Sequence, residues 1–377
     1  MTKRLRVLLL FGGRSAEHDV SRVTAVAAAR ALDPARYEVV PVAIDTDGRW
    51  LLAEQAAAML EAGGADLPNA FQIEGAPVTE TADPSQPALV PLDPGAPGAP
   101  PPTDVDVVLP LLHGPYGEDG TVQGLFELAD LPYVGAGVLG SALAMDKIAM
   151  KAAFRAAGLA TARSFEFRDG HDAQGFADRV EAEFGFPCFV KPANMGSSIG
   201  VSKAHDRAEL DAAVLVALGF DEWVLAEEAI VGREIEVGIL GDDPPEPSLP
   251  GEVVPGAEFY TYADKYEDDA VQLITPASLS DAHTREVRGL ATRAFEACRG
   301  EAMARVDFFL SETRGFVVNE VNTIPGFTPA SQYPRLWAET GVSYPELLDR
   351  LIALALARHD RRSRRAGRQR VDPGARD

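Results

Sequence analysis

The chain has 377 residues, 46% of them hydrophobic and 24% charged, enough for two or three domains with substantial cores. With 35 basic against 57 acidic side chains the net charge is −22, which gives no basic footprint for a phosphate backbone and excludes nucleic acid as the main partner. Cys188 and Cys298 have no CxxC spacing and read as small buried residues of a reduced, cytoplasmic protein, and no apolar run approaches the ~20 residues of a membrane span.

Arg6–Phe11 reads as a buried strand; its apolar stretch is too short for a signal peptide, and Arg14, Glu17, His18 and Asp19 follow at once. A Gly12-Gly13 turn, an Ala-rich helix over about Val20–Leu32 and a strand at Tyr37–Ile44 complete a βαβ start, implying a parallel sheet. Residues 62–103 are rich in Pro, Gly and Ala and read as a long loop or loosely held insertion outside the core. Val105–Leu112 is the next strand, ending in the loop His113-Gly-Pro-Tyr-Gly-Glu-Asp-Gly120, and Met145–Ala157 is a helix stopped at Gly158. Strands are predicted at Cys188–Lys191, Gly200–Lys203, Trp223–Glu227 and Arg233–Leu240. In the last, Ile235, Val237 and Ile239 share one face and Glu234 and Glu236 the other. Tyr260–Thr275 is a charged surface loop and Ala282–Arg299 a helix. The final helix, about Tyr344–Ala357, starts at Ser343-Tyr-Pro-Glu346, which has the form of a capping box. Residues 358–377 carry many arginines without a core pattern and read as a disordered basic tail.

Lys191-Pro-Ala-Asn-Met-Gly-Ser-Ser-Ile-Gly200 lies between two strands. Its glycines permit close backbone approach, consecutive amides with Ser197 and Ser198 make an anion nest, and Lys191 offers a point charge to a phosphate. GxxxxGK[ST] is absent, so this is not a P-loop, and Gly12-Gly13-Arg14-Ser15 is not a dinucleotide fingerprint, which argues against an NAD-dependent dehydrogenase.

Arg305–Leu310 and Phe316–Asn322 read as a hairpin. A turn centred between Thr313 and Arg314 sets Asp307 opposite Glu320 and Arg305 opposite Asn322. Opposed Cβ atoms lie roughly 4.5–5.5 Å apart, where two carboxylates repel by about 3 kcal/mol at an effective dielectric near 20. Arg305 can neutralise one of them but not both. Two carboxylates and an amide oxygen suit Mg²⁺ bound together with substrate phosphates.

These stretches, with Phe11–Ser21, Leu112–Gly120, Ala144–Lys147, Tyr260–Tyr266 and Asn319–Gly326, make the chain similar to the ATP-grasp ligases and, within them, to the D-alanine–D-alanine ligase family, from about Arg4 to Ala357. The resemblance implies a three-domain α/β ATP-grasp fold with an N-terminal parallel-sheet domain. The expected units are 1–140 (with the insertion 62–103), 141–232 carrying the Gly/Ser loop, and 233–357 carrying the metal hairpin. It implies ATP-dependent joining of two D-alanines through an acyl phosphate, for peptidoglycan precursors, by a cytoplasmic homodimer without nucleic-acid or membrane partners.

The family's roles, placed on matching positions, give ATP to Lys147, Lys191, Ser198, Glu227 (adenine), Glu234 (ribose) and Lys265 (transferred phosphoryl). Asp307, Glu320 and Asn322 would hold two Mg²⁺ or Mn²⁺ ions. Arg305 and the Gly326 amide would stabilise the tetrahedral oxyanion. Glu17 would anchor the first D-alanine's ammonium, with Ser197 and Tyr266 hydrogen-bonded to it; His113 would lie near that substrate's carboxylate, and Ser331 would take the second carboxylate. Taken singly, Glu17 reads rather as a first-turn acid on a helix dipole and Lys147 as a solvated face residue. The same chemistry with D-lactate or D-serine as second substrate, and a non-catalytic nucleotide-binding regulator, are the rival readings.

Overall fold

The computed structural model describes residues 3–61, 68–86, 88–254 and 272–365. The N-terminal unit runs β1 (Leu5–Gly12), α1 (His18–Ala31), β2 (Tyr37–Ile44), β3 (Trp50–Leu52), α2 (Glu54–Glu61), β4 (Ala76–Glu80), β5 (Leu89–Pro91), β6 (Val107–Pro110) and α3 (Thr121–Leu128). Its sheet has the order β5-β4-β3-β2-β1-β6. β1 pairs parallel with β2 and β6, as the βαβ pattern requires, while β3, β4 and β5 extend the sheet antiparallel. Leu8, Leu9, Leu10 and Phe11 are fully buried because both faces of this central strand are covered.

The described residues of 62–103 are therefore not a loop outside the core. β4 and β5 lie in the sheet, Val78 is buried, and Phe71 packs on Phe11 with ring centroids 5.4 Å apart and planes tilted by 43°. The strands are short and interrupted by Pro77 and Pro91, so composition hid them.

α4 (Val138–Met145) and α5 (Lys147–Ala156) lead into the central unit of β7 (Ser164–Arg168), α6 (Ala173–Glu183), β8 (Cys188–Pro192), β9 (Ser202–Ala204), α7 (Arg207–Leu218) and β10 (Trp223–Glu228), with sheet order β7-β10-β8-β9. The helix expected from Met145 begins instead at Lys147. Asp146 caps it, accepting the Ile148 and Ala149 amides at 2.9 Å each.

The C-terminal unit comprises β11 (Arg233–Leu240), β12 (Glu246–Pro247), β13 (Gly251–Val254), β14 (Gln272–Ile274), α8 (Asp281–Ala297), β15 (Met303–Ser311), β16 (Gly315–Asn322), α9 (Gln332–Thr340) and α10 (Tyr344–Ser363). Its strand order is β14-β13-β11-β15-β16, with β12 on β11. One apolar cluster joins the N-terminal sheet (Val7, Leu9, Phe11) to Tyr333, Trp337, Leu347 and Leu351 of α9 and α10, whereas the central sheet has its own core around Val190, Leu210 and Val224. Both cysteines are buried and free. Among the described residues no helix is long and apolar enough to cross a membrane.

The supposed tail is also corrected. α10 continues to Ser363, and Arg358 is 3% exposed, donating to Tyr133 O (2.6 Å) and Gly135 O (2.5 Å). Arg362 pairs with Glu127 (2.7 Å) and Glu301 (2.7 Å). Arg358, buried, and Arg362, half-buried, tie units together, which a reading of exposed charge could not reveal. Residues 366–377 lie outside the described residues.

Candidate active site

β1 ends in Gly12 at φ +88°, and a Cβ there would sit 2.3 Å from the Ile44 carbonyl oxygen. The turn aims the start of α1 across the ends of the parallel strands, where open α/β sheets bind ligands. Ser21 fixes it: its hydroxyl accepts from the Gly12 amide (2.8 Å) and donates to Leu111 O (2.5 Å). Glu17, just before α1, is 7% exposed and accepts a very short hydrogen bond from Ser197 Oγ. That contact, expected between the first helix and the Gly/Ser loop, spans 180 residues. Ser197 and Ser198 have φ of 50° and 58°, and the Ile199 amide donates to Gly196 O at 3.0 Å, so the loop reverses through two consecutive left-handed residues.

His113 is 5% exposed and donates Nδ1–H to Ile324 O at 3.1 Å. A carbonyl can only accept, so Nδ1 carries the proton in the neutral ring; Nε2 is buried without a hydrogen bond among the described residues. Glu118 accepts from the Gly114 amide (2.6 Å) and the Ile324 amide (3.1 Å), so the loop after β6 clasps the segment after β16 on both sides of Ile324. Burial, then the Glu17 charge, pushes the Glu118 carboxyl up to about 8.

The hairpin places Asp307 opposite Glu320 and Arg305 opposite Asn322, as expected, but by another route. Its turn is centred on Thr313, pairing Ser311 with Gly315, and a bulge at Asn319 adds the residue that restores the register. Arg305 grips Asp307 with Nε (2.8 Å) and Nη2 (2.7 Å) and also pairs with Glu236 at 3.2 Å, while Asn322 Nδ2 donates to Asp307 at 2.9 Å. Burial opposes the Arg305 charge, yet Asp307 and Glu236 hold its pKa well above the ordinary value.

Glu227, buried on β10, meets Lys191 Nζ at 2.6 Å and Lys151 Nζ at 2.5 Å. Burial alone would raise its carboxyl; the two ammonium groups bring it down to about 2. Glu228, its outward neighbour, pairs with Arg163 and Arg314. Lys147, first in α5, reaches back to Met195 O in the Gly/Ser loop.

A cleft of about 540 Å³ between the central and C-terminal sheets is lined by Lys147, Lys191, Ser197, Ser198, Glu227, Glu234, Arg305, Asp307, Glu320 and Asn322. Every expected nucleotide and metal residue among the described ones is thus on one surface. Glu17, His113, Gly326 and Ser331 lie outside that lining; Glu17 joins it through Ser197, and His113 bonds Ile324, the residue after Thr323 of the lining. Ser331 caps α9 and bonds Thr328 at 2.8 Å, its Oγ beside Gly326. Lys265 and Tyr266 lie outside the described residues.

The hairpin fits a divalent cation. Two opposed carboxylates and an amide are hard oxygen donors, and no group of three or more His, Cys, Asp or Glu among the described residues is placed to hold a metal alone. Mg²⁺ takes that number of protein ligands and completes its shell with phosphate and water.

Glu118, Lys151, Glu236 and Ser21 escaped sequence reasoning. Glu236 shares a face with Glu234 on β11, and Lys151 lies one turn beyond Lys147 on α5; those two spacings were the available signals.

Two family models match the chain, described as D-ala D-ala ligase N-terminus over residues 6–136 and D-ala D-ala ligase C-terminus over residues 153–353. The D-alanine–D-alanine ligase of Kineococcus radiotolerans is 51% identical over 368 residues, covering 94% of this chain and 97% of that protein. That of Geobacillus kaustophilus is 45% identical, covering 94% and 96%. Among solved structures, the D-alanine–D-alanine ligase from Coxiella burnetii superposes with a TM-score of 0.82 at 33% identity over 96% of this chain and 97% of its own. The D-Ala:D-Ser ligase from Enterococcus faecalis gives 0.81 at 31% identity over 94% and 100%.

Proposed function

Because the chain belongs to the D-alanine–D-alanine ligase family, we infer that it joins two D-alanines to D-alanyl-D-alanine with cleavage of ATP to ADP, supplying peptidoglycan precursors. Its three-sheet α/β architecture is that of an ATP-grasp ligase. The observation that carries the residue assignment is the convergence of the Gly/Ser loop, Glu227 and the acid hairpin on one cleft.

Amide formation from a carboxylate and an ammonium is unfavourable in water, so the carboxylate must be activated. The γ-phosphoryl group passes to the first D-alanine's carboxylate. The free amine of the second attacks the acyl carbon, phosphate leaves with the C–O bond electrons, and the amine nitrogen loses its proton. Lys147, Lys191 and the Ser198 amide region hold the phosphates, with Glu227 at adenine and Glu234 at the ribose. Asp307, Glu320 and Asn322 are the residues that would hold two Mg²⁺ or Mn²⁺ ions, which when bound neutralise charge on the phosphates. Glu17, steadied by Ser197, holds the first ammonium, and His113 lies near that substrate's carboxylate. Arg305 and the Gly326 amide face the developing oxyanion, and Ser331 takes the second carboxylate. Lys265 serves the transferred phosphoryl group, and Tyr266 bonds Glu17.

Unit boundaries at 1–140, 141–232 and 233–357, a homodimer built through the N-terminal unit, and a cytoplasmic location belong to the same proposal, supported by the three sheets and by the family. ADP release with D-alanine, L-alanine, D-serine and D-lactate supplied in turn tests it. D-alanine should drive release with equimolar dipeptide. A preference for D-serine, used by a relative of the same fold, would replace the acceptor, and ATP turnover indifferent to all four would remove the ligase reading.

A further inference from the structure

We propose that Lys151 is a positioning residue: a fixed counter-ion that keeps Glu227 paired and so lets Lys191 leave it for the triphosphate. The inference rests on the reading of Lys191 as a phosphate ligand. Glu227 divides its two oxygens between the lysines, Oε1 to Lys151 and Oε2 to Lys191, at 2.5 and 2.6 Å. The side chains are 4%, 2% and 16% exposed respectively for Glu227, Lys151 and Lys191. Only Lys191 and Glu227 line the cleft; Lys151 sits behind them on α5.

The backbone explains the trio. Lys191 pairs with Leu225 across β8 and β10, and Glu227 with Phe189, so Lys191 and Glu227 are diagonal neighbours on one sheet face. Lys147 and Lys151 are one turn apart, so α5 presents one lysine to the Gly/Ser loop and the next to Glu227. With Lys191 as its sole partner, Glu227 would become a buried, unpaired carboxylate whenever Lys191 moved to phosphate, and that penalty would hold Lys191 in place. Lys151 removes the penalty, and its repulsion of Lys191 favours the transfer. Burial lowers the Lys151 pKa against the attraction of Glu227, so the ammonium depends on that carboxylate.

Calorimetric ATP binding in the presence of Mg²⁺, with the full chain, tests this. Lys191→Met checks the underlying reading: unchanged ATP affinity removes that reading itself. Given a loss there, Lys151→Met should also weaken ATP binding about tenfold and raise the KM for ATP, while the KM for D-alanine stays within about twofold. Wild-type affinity in Lys151→Met overturns the inference. Should Lys151→Met fail to fold, a crystal structure of the wild-type enzyme with ADP and Mg²⁺ decides. Lys151 on Glu227 with Lys191 on phosphate is expected, and Lys151 withdrawn from Glu227 overturns it.

Discussion

Glu17 is a carboxylate almost removed from water, held by a hydroxyl from a loop far along the chain. A merely capping acid at a helix start would be solvated, so its burial beside Gly114 and Ser197 favours the ammonium role. Glu17→Ala should raise the KM for the first D-alanine about tenfold or more, the scale of one charge-assisted hydrogen bond, and an unaffected value would contradict the assignment. Glu80 is a different kind of acid. It is 9% exposed on β4, and neither oxygen is hydrogen-bonded among the described residues. Burial raises its pKa from 4.5 to about 8. The folded state keeps a proton that the unfolded chain releases, so stability falls as pH climbs from 4.5 towards 8, by about 1.4 kcal/mol per pH unit at most. Glu80→Met should therefore raise Tm, and by more at pH 8 than at pH 5; equal increments would show that the carboxyl titrates normally. The opposed acids Asp307 and Glu320 were legible in the sequence because alternation and hairpin spacing expose them, whereas Glu17 was marked only by the resemblance. Glu80, Glu118 and Lys151 were not legible, since burial of a charge depends on what packs over it.

The strands β1, β8, β10, β11, β15 and β16 were all visible in the sequence within a few residues, because each is an apolar run or a clean alternation. β4 and β5 were hidden by proline, and the end of α10 by its arginines, where charge periodicity gives no sign of burial. The hairpin register was legible, but the bulge at Asn319 that produces it was not; nothing in Val317–Asn322 marks an extra residue. The corrected α10 yields a prediction. Arg358→Leu strands two carbonyl acceptors and breaks the contact to Glu301 (3.4 Å), at a cost of about 3 kcal/mol or more. A chain ending at Ala357 should lose at least as much. Urea midpoints equal to wild type for both would show that the extension is passive.

Across the whole molecule, the N- and C-terminal units share one apolar core while the central sheet packs on its own. The amino-acid residues Glu17, His113 and Ser331 therefore sit on one body, and the Gly/Ser loop and Lys191 on the other, with the cleft between. The Ser197–Glu17 hydrogen bond ties the two bodies together across that division. The fold class was readable from βαβ order and motif sequence; the shared core was not, because it joins residues far apart in the chain, such as Leu9 and Leu347. The account depends above all on the opposed acids of β15 and β16 serving a divalent cation. Ligation rate titrated with Mg²⁺ in wild type and in Glu320→Gln, with folding checked by circular dichroism, tests that most directly. The account predicts a fold-intact variant about a hundredfold slower, the scale of several kcal/mol of lost charge stabilisation, and with a higher Mg²⁺ requirement. A variant with wild-type rate and wild-type Mg²⁺ dependence would contradict it.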